Sequence, residues 1–295
     1  MRVHLVDGTF ELFRAHFSQR PGKSVSLNGG PMDVKATTGL VANMLALLHE
    51  PDEAVTHLAI AFDNPIVSFR NDLFDGYKSD EGVLPAIRAQ FELAELAMRA
   101  LGIVVWSMDR WEADDALATA AVRFAPAVEQ VRILTPDKDL GQVVQGSRIV
   151  QVDRIRRKLI DEDTVRAVRG VPPASVPDLL ALVGDAADGI PGLTGFGAKS
   201  AAAVLARWGT IERIPDDAAK WDVKVTGAPR LAATLAAERG DAMLYKKLAT
   251  LVTDVPLPES LEELQFRGVP RESFDTLCTQ LESKDLRSRP VRFRA

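Results

Sequence analysis

Four short apolar runs, separated by helix-period stretches, restrict the folds open to this chain. Residues 2–6 (RVHLV), 57–62 (HLAIAF), 103–106 (IVVW) and 131–135 (VRILT) are bounded by polar or turn residues. They barely alternate, as strands buried on both faces should. Segments of helical periodicity run over about 34–50, 83–101 and 112–125 between them. Strand then helix, repeated, predicts an α/β fold with a mostly parallel sheet flanked by helices. In such sheets ligands bind beyond the carboxyl ends of the strands.

From about residue 160 the strand signal disappears, and Ala/Leu-rich helical stretches alternate with Gly and Pro punctuation at 170–177, 184–197 and 226–229. With 295 residues, the chain exceeds the usual size of one hydrophobic core. The expected division is an α/β core over 1–158 and a helical region over 159–295. The sole cysteine, Cys278, excludes an internal disulfide and a thiolate metal site, and fits a reducing compartment. The opening MRVHLVDGTF has too short an apolar run for a signal peptide, and no stretch approaches about 20 uncharged apolar residues. A cytoplasmic protein is expected.

Carboxylates follow three of the four predicted strands: Asp7 after HLV, Asp63 after AIAF, and Asp137 with Asp139 after ILTP. One Asp at such a place is ordinary, because Asp favours turns and helix N-caps. Three at one sheet edge ask for more. WEADDALATAA adds Glu112, Asp114 and Asp115 at a helix start, where the helix dipole alone favours acids by about 0.3–1 kcal/mol each. GDAADGIPG adds Asp185 and Asp188, three apart in a Gly-rich turn. Clustered carboxylates repel unless a cation joins them. An all-oxygen set, with no Cys or His at metal spacing, points to Mg²⁺ or Mn²⁺ and away from zinc. The four histidines are scattered, and neither a GxSxG elbow nor a GxxxxGK[ST] loop is present.

The net charge of −5 argues against a polyanionic partner until distribution is considered. Setting the nine acids aside as one metal site leaves +4. The stretch GLTGFGAKSAAAVLARWG (192–209) reads as a glycine-rich hairpin entering a helix near Ala198. Its free backbone N–H groups and Lys199 suit one phosphate, with Gly195 and Gly197 permitting close approach; an ordinary helix–turn–helix corner is the alternative. The basic run Arg154, Arg156, Arg157 and Lys158 is either a solvated hairpin or a phosphate-facing patch.

Read in order, LVDGTFELFRAHF (5–17), AFDNPIVSFRNDLFDGYK (61–78), WEADDALA (111–118), ILTPDKDL (133–140), LVGDAADGIPGLTGFGAKSA (182–201) and TDVPLPESLEEL (253–264) resemble the 5′-nuclease domain of bacterial DNA polymerase I and, more broadly, the flap endonucleases. The resemblance covers nearly the whole chain and implies a free-standing 5′ nuclease, since nothing remains for a polymerase domain. It implies a PIN-like core with a short arch at about 64–100, and a helix–three-turn–helix DNA-binding element at about 175–209. It makes Asp7, Asp63, Glu112, Asp114, Asp115, Asp137, Asp139, Asp185 and Asp188 metal ligands. In such a two-metal site, one cation activates water and both stabilise the attacking and leaving oxygens. Arg70 and Lys78 fall at the base of the arch, against the scissile phosphate, although either residue type is also an ordinary surface charge. The resemblance further implies K⁺ on main-chain oxygens of the hairpin, and a monomer acting on DNA 5′ ends, nicks or single-stranded flaps in replication and repair. No residue names a polymerase or ligase partner.

Three departures qualify the resemblance. After Lys78 the chain reads SDEGV, so Asp80 and Glu81 stand where the family usually has another Arg, which implies a weaker grip on flaps. Ala186 replaces a common acid and Gly189 a common Asn, which implies a looser loop and a less tightly held metal. A structure-specific DNA-binding protein without catalysis, and a PIN-like ribonuclease, are the competing readings.

Overall fold

The structure, a computed structural model, describes residues 1–27 and 29–294. Internal contacts divide them into two units that interleave in sequence. Unit 1 comprises Met1–Ile66, Asp80–Thr135 and Thr253–Ala295; unit 2 comprises Val67–Ser79 and Pro136–Val252.

In unit 1, β1 (Arg2–Asp7), β4 (His57–Asp63), β5 (Val104–Met108) and β6 (Gln130–Leu134) pair in parallel in the order β5-β4-β1-β6. These are the four runs predicted from sequence. In β4 every residue from His57 to Phe62 is buried, which is why the run shows no alternation. Helix α5 (Ala113–Phe124) packs across all four strands. Helix α1 (Gly8–His16) packs on β4 and β1 and α4 (Phe91–Ala100) on β5 and β4, with α2 (Lys35–His49) against both helices. The predicted helix over 83–101 is broken into α3 (Pro85–Arg88) and α4. At the break, buried Gln90 donates Nε2 to Ala86 O and accepts the otherwise unpaired Thr37 N–H at the start of α2. A short antiparallel hairpin, β2 (Ser24–Leu27) with β3 (Gly30–Asp33), has no counterpart in the sequence expectation.

The stretch after Thr253 returns to unit 1, where Leu58 N donates to Leu264 O and Phe266 N to Thr56 O. It then forms α11 (Arg271–Gln280) and α12 (Lys284–Arg287). Unit 2 holds a hairpin, β7 (Ile149–Asp153) with β8 (Lys158–Ile160), and the helices α6 (Glu162–Arg169), α7 (Val176–Val183), α8 (Ala198–Trp208), α9 (Ala228–Ala237) and α10 (Arg239–Ala249). Its apolar core joins Leu180, Leu182, Phe196, Leu205, Leu235 and Leu248. Beyond Ile160 unit 2 is helical, as the loss of strand signal implied. Among the described residues no helix is long and apolar enough to cross a membrane.

A buried polar network ties β1 to its neighbour. His4 and Arg132 are register partners on β1 and β6, and both reach Glu53, His4 Nε2 at 3.0 Å and Arg132 Nη2 at 3.0 Å. Burial holds the His4 imidazole below its usual pKa, against the opposing pull of Glu53. Burial alone would raise Glu53, but its hydrogen bond from His4 and the charge of Arg132 outweigh it and hold the carboxyl low. Both depressed groups contribute stability that is present above their unfolded pKa and lost as pH falls. The His4 share is lost as pH falls below about 6.5, by up to about 1.4 kcal/mol per pH unit, and the Glu53 share only below about 4.5. His4→Gln lowers stability at pH 7, and its deficit against the parent should shrink toward pH 5; a constant deficit would mean that His4 does not titrate there.

Candidate metal centre and nucleic-acid interface

Each acid of unit 1 stands where a strand gives way to a helix. Asp7 ends β1 and caps α1, its Oδ1 accepting from Phe10 N at 2.8 Å and its Oδ2 from Thr135 Oγ1 at 3.0 Å. Asp63 ends β4 and accepts Ala113 N, at the start of α5, at 2.7 Å. Glu112 is the N-cap of α5, closed by Asp115, whose carboxylate accepts Glu112 N at 3.0 Å. Asp114 is half-buried in the first turn. Because β1, β4 and β5 are parallel neighbours, all five acids lie at the carboxyl edge of this sheet. The capping role and the placement at the ligand edge coincide in the same side chains.

In unit 2 the acids crowd together. One carboxylate oxygen from each of Asp139, Asp185 and Asp188 lies within 4.8 Å of the others. Asp137 joins them locally, accepting Asp139 N at 2.8 Å, while Gln151 from β7 donates to the Asp137 carbonyl. Asp139 is pushed up to about 8, by burial first and then by the charges of Asp137, Asp188 and Asp185. Burial and the neighbouring acids likewise raise Asp137. The Oδ1 of Asp139 is buried with no hydrogen-bond partner among the described residues. A buried acceptor without a donor, inside a group of like charges, is costly unless a cation completes it. This all-oxygen donor set fits a hard divalent cation.

Two lysines meet the cluster: Lys138 Nζ lies 2.5 Å from Asp185 and Lys78 Nζ 3.0 Å from Asp188. Arg169, half-buried at the end of α6, adds positive charge opposite Asp139, Asp137 and Asp185. Sequence reasoning passed over Lys138 and Arg169. Lys138 was discoverable from its place between two of the acids, whereas Arg169 arrives from a separate helix and left no local signal.

The loop bearing Asp185 and Asp188 is closed by reciprocal backbone bonds, Asp185 N to Ile190 O and Ile190 N to Asp185 O, each 2.8 Å. The looser loop expected from Ala186 and Gly189 is therefore not what these bonds describe. Gly189 has φ +74°, and a Cβ there would lie 2.0 Å from the carbonyl oxygen of Gly76. Its bare backbone lets Gly76–Lys78 dock on the loop, with Lys78 N donating to Asp188 O at 3.0 Å. Arg70 is 1% exposed and donates to Leu248 O and Thr250 O at the end of α10, 2.8 and 3.0 Å away. It anchors the other end of the same segment.

Gly195 (φ +91°) and Gly197 are exposed in the turn before α8, and Lys199 is exposed in its first turn. A Cβ on Gly195 would lie 3.4 Å from the Arg230 guanidinium, so α9 brings to this hairpin a cation that sequence reading did not single out. Nothing lies within 4 Å of a Cβ on Gly197, which leaves its backbone open to an approaching group. Arg154, Arg156 and Arg157 occupy the turn of the β7–β8 hairpin and Lys158 opens β8, with Arg156 paired to Asp153 at 2.9 Å and the last three exposed.

Two outcomes follow for stability. The protonated form of Asp139 is favoured in the folded chain, so its contribution is full below the unfolded value near 3.8 and is lost as pH rises through about 8. In EDTA, Asp139→Asn should therefore melt higher than the parent, by more at pH 8 than at pH 5, and should not gain the further rise that Mg²⁺ or Mn²⁺ gives the parent. Asn tolerates the left-handed backbone of residue 189, yet Gly189→Asn should still cost about 1–3 kcal/mol in urea unfolding, because overpacking against Gly76 outweighs that tolerance.

The family described as 5′-3′ exonuclease, N-terminal resolvase-like domain, matches residues 2–170, and its C-terminal SAM-fold counterpart matches residues 171–272. DNA polymerase I of Mycobacterium leprae is 32% identical over 289 residues, 97% of this chain but 31% of that protein. The chain thus spans about a third of the polymerase relatives it matches. A 5′-3′ exonuclease of Aquifex aeolicus is 28% identical and is covered over 93% of its length. Two solved structures share the fold. The T5 D15 protein co-crystallised with metal ions is 17% identical, with a TM-score of 0.65 over 97% of this chain and 100% of that one. The catalytic core of Rad2 in complex with DNA substrate is 16% identical, with a TM-score of 0.59 over 97% and 90%. The chain belongs to the 5′-3′ exonuclease family.

Proposed function

We propose that this chain is a divalent-metal-dependent 5′ nuclease that hydrolyses DNA phosphodiester bonds at or near 5′ ends, at nicks or in single-stranded flaps. The carrying observation is the trio Asp139, Asp185 and Asp188, one oxygen of each within 4.8 Å of the others, with Asp139 Oδ1 unpartnered among the described residues. In the same reading Asp137 of unit 2 is a metal ligand, and so, on unit 1, are Asp7, Asp63, Glu112, Asp114 and Asp115. Two Mg²⁺ or Mn²⁺ ions, when bound, supply charge stabilisation and an activated water for in-line displacement at phosphorus.

The protein's own residues position and compensate. Lys78 and Lys138 neutralise Asp188 and Asp185 in the metal-free chain. A scissile phosphate brings negative charge that Lys78 is placed to meet once Asp188 turns to a cation. The open backbone at Gly195–Gly197, the start of α8, Lys199 and the adjacent Arg230 suit a second phosphate without sequence preference. A K⁺ ion on main-chain oxygens of this turn belongs to the same reading.

A denaturing-gel time course of a 5′-labelled single-flap duplex tests the proposal. Short labelled products should appear with Mg²⁺ or Mn²⁺ and not with EDTA. Asp137→Ala and Asp188→Ala should abolish them, and Lys78→Gln should slow cleavage by about 100-fold, the scale set by losing one charge-stabilising donor. Parent-like cutting by both Asp variants would overturn the proposal.

A further inference from the structure

Unit 1 carries a second concentration of charge, opposite in sign to its acids. The loop after α1, the first half of α2 and α12 enclose a cleft of about 310 Å³ lined by Arg20, Lys23, Lys35 and Arg289. Among the described residues Asp285 is the only carboxylate in that lining. It is already engaged, accepting from Arg289 at 2.8 Å and from Ser283 Oγ at 2.9 Å. Lys23 Nζ donates to Glu282 O at 3.2 Å and Lys35 Nζ to Ser18 O at 2.9 Å. Carbonyls fix an ammonium group without neutralising it, and each Nζ has donors to spare.

Arg20 is held most deliberately. Its Nη2 donates to Asn43 at 2.9 Å, and its Nη1 lies 2.5 Å from where a Cβ on Gly39 would stand. A glycine inside a helix weakens it, and here the missing side chain leaves the notch in which the guanidinium lies. Burial, then the like charges of Arg14 and Arg289, hold Arg20 below its usual pKa. Thr38, also in the lining, has its Oγ1 buried without a hydrogen-bond partner among the described residues. Four cations line this cleft against one carboxylate, in a chain of net charge −5, and Arg20 and Arg289 stand exposed to an arriving anion.

We propose that this cleft is a phosphate-binding site, taking a phosphate either from a DNA strand or from a free phosphomonoester. Three surplus positive charges match a phosphate group better than a carboxylate, and guanidinium forks suit its oxygens. The strand source rests on the nuclease reading; the free-phosphate source does not.

The test uses the full chain in EDTA, so that nothing is cut, and compares Lys23→Gln/Lys35→Gln with Lys23→Arg/Lys35→Arg. Thermal shifts with inorganic phosphate or a deoxynucleoside monophosphate, against chloride of equal ionic strength, probe the free ligand. Anisotropy of a labelled nicked duplex over a salt series probes the strand. For the strand source, the Gln pair should weaken DNA binding about five-fold or more and reduce the log affinity–log salt slope by about 1–2, with the Arg pair near parent. For the free source, the phosphate-induced rise in melting temperature should vanish in the Gln pair while DNA affinity holds. Unchanged binding of both probes, or equal loss in the Gln and Arg pairs, would overturn the site. DNA cutting in Mg²⁺ alongside unchanged binding sinks the cleft and leaves the nuclease reading standing; phosphate binding without cutting does the reverse.

Discussion

Four carboxylates of unit 2 are held closer together than their charges favour, and much of the local structure can be understood as the means of holding them. Asp137 and Asp139 are fixed two residues apart by the bond from Asp139 N, with Gln151 on the Asp137 carbonyl. Asp185 and Asp188 sit in a loop closed by paired backbone bonds. Moving the first pair breaks the bonds to the Asp137 side chain and carbonyl, and moving the second breaks main-chain hydrogen bonds. Repulsion is therefore relieved by protonation, visible in the raised Asp139, or by cations, visible in Lys78 and Lys138. A divalent ion offers two charges at one point where the lysines offer one each at the rim.

The unit 1 acids follow a different logic. Asp7, Asp63, Glu112 and Asp115 are each spent on a helix start, so each would be kept by local structure alone. This explains why sequence could not separate structural from functional readings there: the bonds that satisfy α1 and α5 also aim these acids at the sheet's carboxyl edge. The strands were legible because burial on both faces leaves an unmistakable apolar run, and α5 was legible from its cap. The β2–β3 hairpin was not, and of β7–β8 only the turn was offered, as one of two readings of the basic run, since Ser24–Leu27 and Lys158–Ile160 are short and largely exposed and lack the apolar run. The break between α3 and α4 was equally hidden, because it depends on Gln90 meeting a helix start 53 residues away.

Within the site, what escaped sequence reading shares one physical cause. Whether Gly189 loosens or tightens its loop depends on Gly76, more than 100 residues earlier, and only the 2.0 Å approach decides it. In the same way the composition of SFR could suggest a surface arginine, yet Arg70 is sealed by carbonyls from α10. Local pattern names the residues, and contacts distant in sequence assign their surroundings.

Those two contacts act together on the segment Val67–Ser79. Arg70 fixes its start to the end of α10, where the last carbonyls of a helix carry partial negative charge and favour a cation. Gly76 and Lys78 fix its end to the Asp185–Ile190 loop through a close approach and a backbone bond. A segment pinned at both ends has little freedom left for Lys78, whose ammonium group thus stands at 3.0 Å from Asp188 because its main chain has no other place to go. If a phosphate is to be met by that group, the meeting point is set by the fold of unit 2 before any ligand arrives, and ordering Lys78 on binding costs correspondingly little.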